Sequence, residues 1–546
     1  MRCNRSPVAG ASAHRVTGYG LAVSSGSDWP LEAVLVQLQD AAVVAFANDE
    51  AHCVQVVAEG LHAAARAGQS APDLRALPGV VSAVEPETFA LDATYFDTET
   101  LDLAGNAITM RRRTGGPDAG WHLKRPSSVS GARRETRLTF DQAPADGDVP
   151  TELLTPVLAL TRSRRLAPVA VISTTRTVTV LLGPDGVRLA EFAEDLVTAQ
   201  SLLPGGHSQQ WAEWEFELID GDNRLLKAAH KVLRSAGGRE PSSASKLARA
   251  IGSTPTAHEP RLSKKPTALE LVVTDIALHR NSLIAYDPLV RVDAEDAVHQ
   301  MRVSTRRLRS VLSGFPTVLD AERTAHLNGE LKLLAGILGE ARDSEVQLAL
   351  DESLLRDEPA SPTLVDALAG TETATHDRAI RAAHSAMSSA RYFALLDAID
   401  ELIAAPPPGP DADIPATDAV DKAIDKSRKH INKAQGRLAE LPEGSDEWEE
   451  QLHTIRKRAK RLRYSIDAAE PLGKKKYKQV GAVAKEIQSA LGDFNDSRIN
   501  RTKLAELAAS GRLPGPDMFI LGRIDARLEA DGEKAIADYV KSAKKL

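Results

Sequence analysis

A chain of 546 residues exceeds what one hydrophobic core organises, so two to four domains are expected. Apolar residues make up 42% and charged residues 26%, and no apolar run nears the roughly 18 residues of a membrane span, which points to soluble globular domains. The net charge of −7 excludes a uniformly basic surface, so affinity for a polyanion has to come from local clusters of Lys and Arg.

Residues 1–72 are rich in Ala, Val, Gly and Ser and stay unassigned, although "LEAVLVQLQDAAVVAFA" suits a helix. Arg2 and Arg5 are not followed by the apolar stretch of a secretory signal, and Cys3 and Cys53 are too few for a disulfide framework. A cytoplasmic chain is expected. From 73 to 233 short alternating stretches such as "ATYFDT", "AITMRRR", "RRETRLTF" and "QWAEWEFELIDG" are separated by Gly, Asp and Pro turns, the pattern of an antiparallel β domain. Residues 234–266 hold Pro, Ser and Gly in proportions that suit a linker carrying one short helix. The remainder, 267–546, is helical in pattern and is interrupted by "AAPPPGPDADIP", giving halves of about 267–403 and 417–546. The expected fold class is therefore α+β and multidomain, an antiparallel β domain followed by an all-α domain.

The two helical halves repeat each other. His299, Arg302, Arg306, Arg307 and Arg309 align with His453, Arg456, Lys460, Arg461 and Arg463, so the same four offsets after the histidine carry cations in both. Further on, "LKLLAGILGEARDSEV", with Gly339, Arg342 and Asp343, aligns with "AKEIQSALGDFNDSRI", with Gly492, Asn495 and Asp496. A duplicated helical unit accounts for both matches.

At about 100° per residue most of these cations fall within roughly a quarter of the helix circumference, so each copy makes a cationic stripe. Like charges held side by side repel and call for a counter-charge. Acidic neighbours such as Asp293, Glu295 and Asp296 can supply it, or the stripe is a solvated face, but repetition of the stripe favours a binding surface. A chain of phosphates suits it, because guanidinium groups grip phosphate oxygens in pairs and a regular row of cations matches a regular row of anions. The histidines either add donors when protonated or serve the interior.

These paired His-and-Arg helices, each followed by an "LG" helix, resemble the CHAD domain over about residues 267–546. The resemblance implies two pseudo-symmetric helical bundles whose basic central surface binds inorganic polyphosphate, in proteins that associate with polyphosphate granules. It assigns polyphosphate contact to the ten aligned residues, His299 to Arg309 and His453 to Arg463. Lys457, Arg458 and "KKKYK" are additional cations.

In the β domain, Arg111 and Arg113 alternate on one stretch, Lys124 lies on "WHLK", and Arg133, Glu135 and Arg137 alternate on another. Arg176, then Glu191 and Asp195, then Glu213, Glu215 and Glu217 continue the pattern. For any one strand a solvated face is the simpler reading. Opposite charges repeated on many strands suggest the inside of a closed polar barrel, where cations hold phosphates and carboxylates hold a divalent ion, Mg²⁺ or Mn²⁺. The stretches "LDATYFDTETLDLAGNAITMRRR", "GWHLKRP", "RRETRL" and "WAEWEFELIDGD" resemble a CYTH domain of the triphosphate tunnel metalloenzyme group over about 73–233. That resemblance implies a tunnel for triphosphate or longer phosphate chains, hydrolysed by metal-activated water. By it, Arg111, Arg113, Lys124, Arg133 and Arg176 contact phosphate, and Glu135, Asp195, Glu213, Glu215 and Glu217 serve metal binding or water activation.

One departure bears on activity. A CYTH domain opens on a strand carrying E-x-E-x-K, and no such pattern exists in this chain; where it belongs the sequence reads "HCVQVVAEGLHAAARAGQSAPD". Val171 and Ser173 also stand where further tunnel arginines are expected. Losing two metal carboxylates leaves a divalent ion poorly held. Either the tunnel is catalytically impaired, or the first 70 or so residues are an altered N-terminus in place of the true first strand. The expected function is polyphosphate binding by the helical half, with an active metal-dependent triphosphatase or polyphosphatase as the alternative. Nucleic acid is not an expected partner, since aromatic residues are only 4% and no stacking motif is present.

Overall fold

The computed structural model describes residues 53–57, 60–65, 68–126, 133–243, 245–252, 259–355 and 358–546. The segment "LEAVLVQLQDAAVVAFA" lies outside the described residues.

One antiparallel sheet organises the first part of the chain. Its strands are β1 (Cys53–Val57), β2 (Gly60–Ala65), β3 (Ser82–Ala83), β4 (Glu87–Asp97), β5 (Thr109–Thr114), β6 (Gly120–Pro126), β7 (Arg133–Leu138), β8 (Ala167–Leu182), β9 (Arg188–Ser201) and β10 (Ser208–Leu218). They run in the order β1-β7-β6-β5-β4-β8-β9-β10-β2, with β3 as a short addition on β8. Since only two residues separate β1 from β2 along the chain, one stretch of polypeptide joins both edges and the sheet closes on itself. The closing stretch lies upstream of residue 73, so the sheet begins earlier than the alternating pattern suggested. Short apolar runs without alternation, "CVQVV" and "GLHAAA", gave no period-two signal there.

Register decides which residues line the barrel, because directly opposed residues share a face. Arg111 opposes Tyr95 and His122, Lys124 opposes Glu135, Asp195 opposes Arg176 and Glu213, and Glu217 opposes Glu191. These charges form one continuous inner face. The outer face is apolar: Trp214, Phe216, Phe192 and Leu218 pack with Leu225, Ala229 and Leu233 of helix α1 (Asn223–Ser235), while Met110, Trp121 and Leu123 pack with Leu103, Leu153 and Val157. Each fully buried Leu, Phe or Met among them contributes roughly 1.5–3 kcal/mol. The barrel is thus charged along much of its interior, with an apolar patch at one mouth, and largely apolar on its outer face.

Helix α2 (Lys246–Ile251) arises in the stretch expected to be a linker. Ser245 caps it by accepting from the Ala248 amide, and Leu247 and Ala250 bury against Tyr95, Ile172, Val197 and Trp211. Except for a few flanking residues, those partners belong to the inward-facing set, so α2 sits across one mouth of the barrel.

The helical part comprises α3 (Ala268–Val290), α4 (Ala297–Gly314), α5 (Ala321–Leu355), α6 (Thr371–Met387), α7 (Ala390–Ala404), α8 (Ala416–Leu438), α9 (Asp446–Asp467), α10 (Lys475–Ala509) and α11 (Gly515–Ala543). The repeat is visible in lengths: α3 and α8 have 23 residues each, and α5 and α10 have 35 each. A Thr267–Glu270 capping box starts α3, and Ser445 with Asp446, Glu447 and Glu449 starts α9, where carboxylates complement the helix dipole. The halves meet where α4 packs against α9. There a Cβ on Gly314 would lie 2.8 Å from Ser465 Oγ, so a larger residue would push that hydroxyl aside.

A latch joins the two parts. Buried Arg162, after the helical turns of Thr151–Thr161, bonds Asp397 and Asp400 of α7, and Arg164 reaches Asp397 at 3.3 Å and Asp102 at 2.7 Å. Ala159 enters the helical core beside them.

Candidate functional sites

On α4, Met301, Ser304, Thr305, Leu308 and Val311 are buried against the bundle, which turns Arg302, Arg306 and Arg309 toward the surface. The same logic on α9 buries Leu452, Ile455, Ala459 and Leu462 and turns out Arg456, Lys460 and Arg463. Because α4 lies against α9, the stripes meet. Lys460 feels Arg306, Arg456, Arg302 and Arg463 at once.

Burial, followed by the charges of those four arginines, pushes the Lys460 amine down to about 7. Burial and neighbouring cations likewise push His299 and His453 below the ordinary histidine value, which favours the neutral ring. Arg302 donates to Asp343 at 2.7 Å, and Arg307 and Arg463 share Asp467 at 3.8 and 3.7 Å. Among the described residues no ion pair is recorded for Arg306, Arg309, Arg456, Lys460 or Arg461. The Nε atoms of Arg306, Arg307, Arg309 and Arg456 are buried without a hydrogen-bond partner. Arg461 is exposed, beside the others rather than within the cluster.

The aligned glycines have a shared geometry. Arg302 lies against α5 at Gly339, where a Cβ would be 3.6 Å from its guanidinium, and Arg456 lies against α10 at Gly492 at the same 3.6 Å. The "LG" motif is therefore a seat for an arginine. Sequence alignment found both glycines; what they do required the packing.

Inside the barrel, Arg111 lies 3.4 Å from the Tyr95 hydroxyl and 3.9 Å from Glu135. Glu135 also contacts His122 at 2.6 Å and Lys124 at 3.2 Å. Burial would raise its pKa, but the His122 hydrogen bond and the Lys124 and Arg111 charges outweigh burial and hold the carboxyl well below its ordinary value. Arg113 shares the same face and pairs with Asp118. The Arg133 backbone opposes Val57 and Pro126, and its side chain lies outside the described residues. Val171 and Ser173 require a correction: they alternate with inward-facing Ile172 and Thr174 and so occupy the outer face of β8, where Ser173 bonds Asp92. Arginine is not to be expected there.

Asp195, Glu213 and Glu215 converge closely enough for one atom of each to reach a single ion. The same oxygens already carry other groups. Arg176 bonds both oxygens of Asp195, at 2.8 and 2.6 Å, and Glu215; Lys246 pairs with Asp195 at 3.0 Å and with Glu213 and Glu215. The closing strands place Gln55 opposite Glu135, and Gly60, His62 and Ala64 opposite Glu217, Glu215 and Glu213. No carboxylate is supplied from those positions, so the residues present do not fit a divalent ion well. Lys246 escaped sequence reasoning because a short helix in a Ser- and Pro-rich stretch reads as linker; only the Ser245 cap signalled it.

Comparison with known proteins follows this division. The CYTH domain model matches residues 65–251 and the CHAD domain model residues 274–505. An uncharacterized protein of Mycobacterium tuberculosis (strain CDC 1551 / Oshkosh) is 38% identical over 492 residues, covering 86% of this chain and 92% of its own. Several solved structures are similar to parts of the chain. PptA from Streptomyces chartreusis is 19% identical with a TM-score of 0.42, covering 51% of this chain and 99% of its own. The CHAD domain from the plant Ricinus communis is 22% identical with a TM-score of 0.40, covering 53% and 94%. No helix among the described residues is long and apolar enough to cross a membrane. With both domains matched in the order the fold presents them, and with a relative aligned across nearly all of both, the chain belongs to the CYTH–CHAD proteins.

Proposed function

We propose that this protein binds inorganic polyphosphate on the joined stripes of α4 and α9, and that its tunnel is impaired as a metal-dependent phosphohydrolase. The observation that carries the first part is the convergence of Arg302, Arg306, Arg456, Lys460 and Arg463 from both halves, with the Nε atoms of Arg306 and Arg456 buried and lacking protein partners. Cations so placed repel one another, and a polyanion spanning both stripes relieves the repulsion and supplies acceptors. His299, Arg307, Arg309, His453 and Arg461 border the same surface. Association with polyphosphate granules would follow from such binding.

For the second part, the support is a closing strand without E-x-E-x-K and a carboxylate set already engaged by Lys246 and Arg176. The alternative, an active triphosphatase or polyphosphatase fed by the helical half, draws on the convergence of Arg111, Arg113 and Lys124 on one inner face with Tyr95. Titration with long-chain polyphosphate at several salt concentrations, with RNA as competitor, tests binding; phosphate release from triphosphate with Mg²⁺ or Mn²⁺ tests the tunnel. Steeply salt-dependent binding that RNA fails to displace, with no metal-dependent release, is the expected result. Displacement by RNA at equal charge, or rapid metal-dependent hydrolysis, overturns the corresponding half of the proposal.

A further inference from the structure

The convergent acidic cluster inside the tunnel contains six carboxylate oxygens, on Asp195, Glu213 and Glu215. Each has a partner. Asp195 Oδ1 accepts from Arg176 Nε at 2.8 Å, and Oδ2 accepts from Arg176 Nη2 at 2.6 Å and from Lys246 Nζ at 3.0 Å. Glu213 Oε1 meets Lys246, and Oε2 accepts from Trp211 Nε1 at 2.7 Å. Glu215 Oε1 meets Lys246 and Oε2 meets Arg176. Three carboxylates thus share one ammonium, whose three N–H donors match them in number.

We propose that Lys246 is a built-in cation that takes the place of a divalent ion in this cluster, making it the socket of helix α2 rather than a metal centre. This deepens the impaired-tunnel reading and rests on it. Charge supports the assignment: Lys246 and Arg176 offset two of the three negative charges, leaving too little to attract and dehydrate a small dication. Packing supports it as well, because the ammonium is delivered by an anchored helix. Leu247 and Ala250 are buried, Ser245 caps the first turn, Arg249 stacks 4.5 Å over Trp211, and Gln209 Nε2 donates to the Arg249 carbonyl at 2.9 Å. Register adds no further carboxylate, since the β2 positions opposite Glu213, Glu215 and Glu217 are Ala64, His62 and Gly60. The carboxylates in turn hold the Lys246 pKa above its ordinary value against burial, which keeps the plug charged.

The experiment is Mn²⁺ binding to the full chain, followed by electron paramagnetic resonance and by thermal melting with and without Mn²⁺, for wild type, K246M and K246M/D195N. The expected outcome is at least tenfold tighter Mn²⁺ binding by K246M than by wild type, with an Mn²⁺-dependent rise in melting temperature confined to K246M and lost in K246M/D195N. Equal Mn²⁺ binding by wild type and K246M, whether tight or absent, overturns the assignment. K246Q, which discards the charge but keeps a donor, repeats the comparison if K246M folds poorly, and folding only in the presence of Mn²⁺ counts as support. Because the readout is metal binding, its failure is separable from the impaired-tunnel reading, which fails only on hydrolysis. Polyphosphate affinity should be the same in wild type and K246M.

Discussion

Arg302 donates to Asp343 at 2.7 Å on the edge of the joined cationic surface, whereas Arg456, its counterpart in the second half, has no ion-pair partner among the described residues. The duplication is therefore electrostatically unequal. The Asp343 side chain is 72% exposed, so its pair with Arg302 contributes about 0–1 kcal/mol and yields readily to a phosphate. Replacing Arg302, Arg306 and Arg309 together with Ala should weaken polyphosphate binding at least about tenfold, and R456A alone should cost more than R302A. D343N, which frees Arg302, should tighten binding by at most about fivefold. Fluorescence or calorimetric titration at fixed salt checks all three, with circular dichroism confirming that the helices persist.

Lys460 gives the surface a pH dependence whose sign can be worked out. In the free protein its pKa is lowered to about 7 from an ordinary 10.5 by burial and by Arg306, Arg456, Arg302 and Arg463. A bound polyanion offsets those arginines and raises the value again, so binding near and above pH 7 takes up a proton. Affinity should then fall as pH rises from about 7 toward 10.5, by up to about tenfold per unit. Stability of the free chain runs the other way: the unfolded lysine holds its proton more tightly than the folded one, so Lys460 destabilises most at low pH, and this cost fades as pH rises through the same window. Calorimetric titration in buffers of different ionisation enthalpy should show proton uptake in wild type that is reduced in K460M, the remainder coming from His299 and His453.

The glycine seats separate packing from charge. A methyl at position 492 would meet Arg456 at 3.6 Å, an ordinary contact, and Ala is favoured over Gly inside a helix by about 0.5–1 kcal/mol. G492A should therefore raise stability by about that amount while leaving binding intact. G492L and G339L remove no cation but fill the space against which Arg456 and Arg302 rest. Displacing either guanidinium should lower polyphosphate affinity by about tenfold, equivalent to one charge-assisted hydrogen bond of about 1.5 kcal/mol. Unchanged affinity in both leucine variants would show that the seats do not position the arginines.

The stripes were legible because helical period and duplication are both local properties of sequence; residues 299–309 and 453–463 carry them without help from the rest of the fold. Contact between the stripes was not, since it depends on how α4 packs against α9. The alternating charges of 111–137 and 191–217 also showed an inner face, but the closing strands at 53–65 carry no alternation and were found only through pairing with β7 and β10. Lys246 illustrates the limit most clearly. Its role is set by three carboxylates on β9 and β10, more than 30 residues away for each of them, and no window around "SKLARAI" contains that information.

Asp287 is fully buried near the end of α3, where its carboxylate accepts from Arg291 at 2.6 Å and from the Tyr392 hydroxyl at 2.9 Å. The same Arg291 donates to the Met387 carbonyl at 2.7 Å and to Ser388 Oγ at 3.0 Å, which ties α3 to the joint between α6 and α7. Removing the carboxylate strands a buried guanidinium, a loss that typically costs about 3–5 kcal/mol, whereas removing only the phenol oxygen forfeits one hydrogen bond of about 1 kcal/mol. D287A should accordingly destabilise the chain several times more than Y392F in denaturant unfolding. None of these atoms lies on the α4–α9 surface. The fraction of D287A that remains folded should therefore bind polyphosphate with wild-type affinity, and a weakened affinity in that fraction would mean that the α3–α7 scaffold sets the geometry of the stripes.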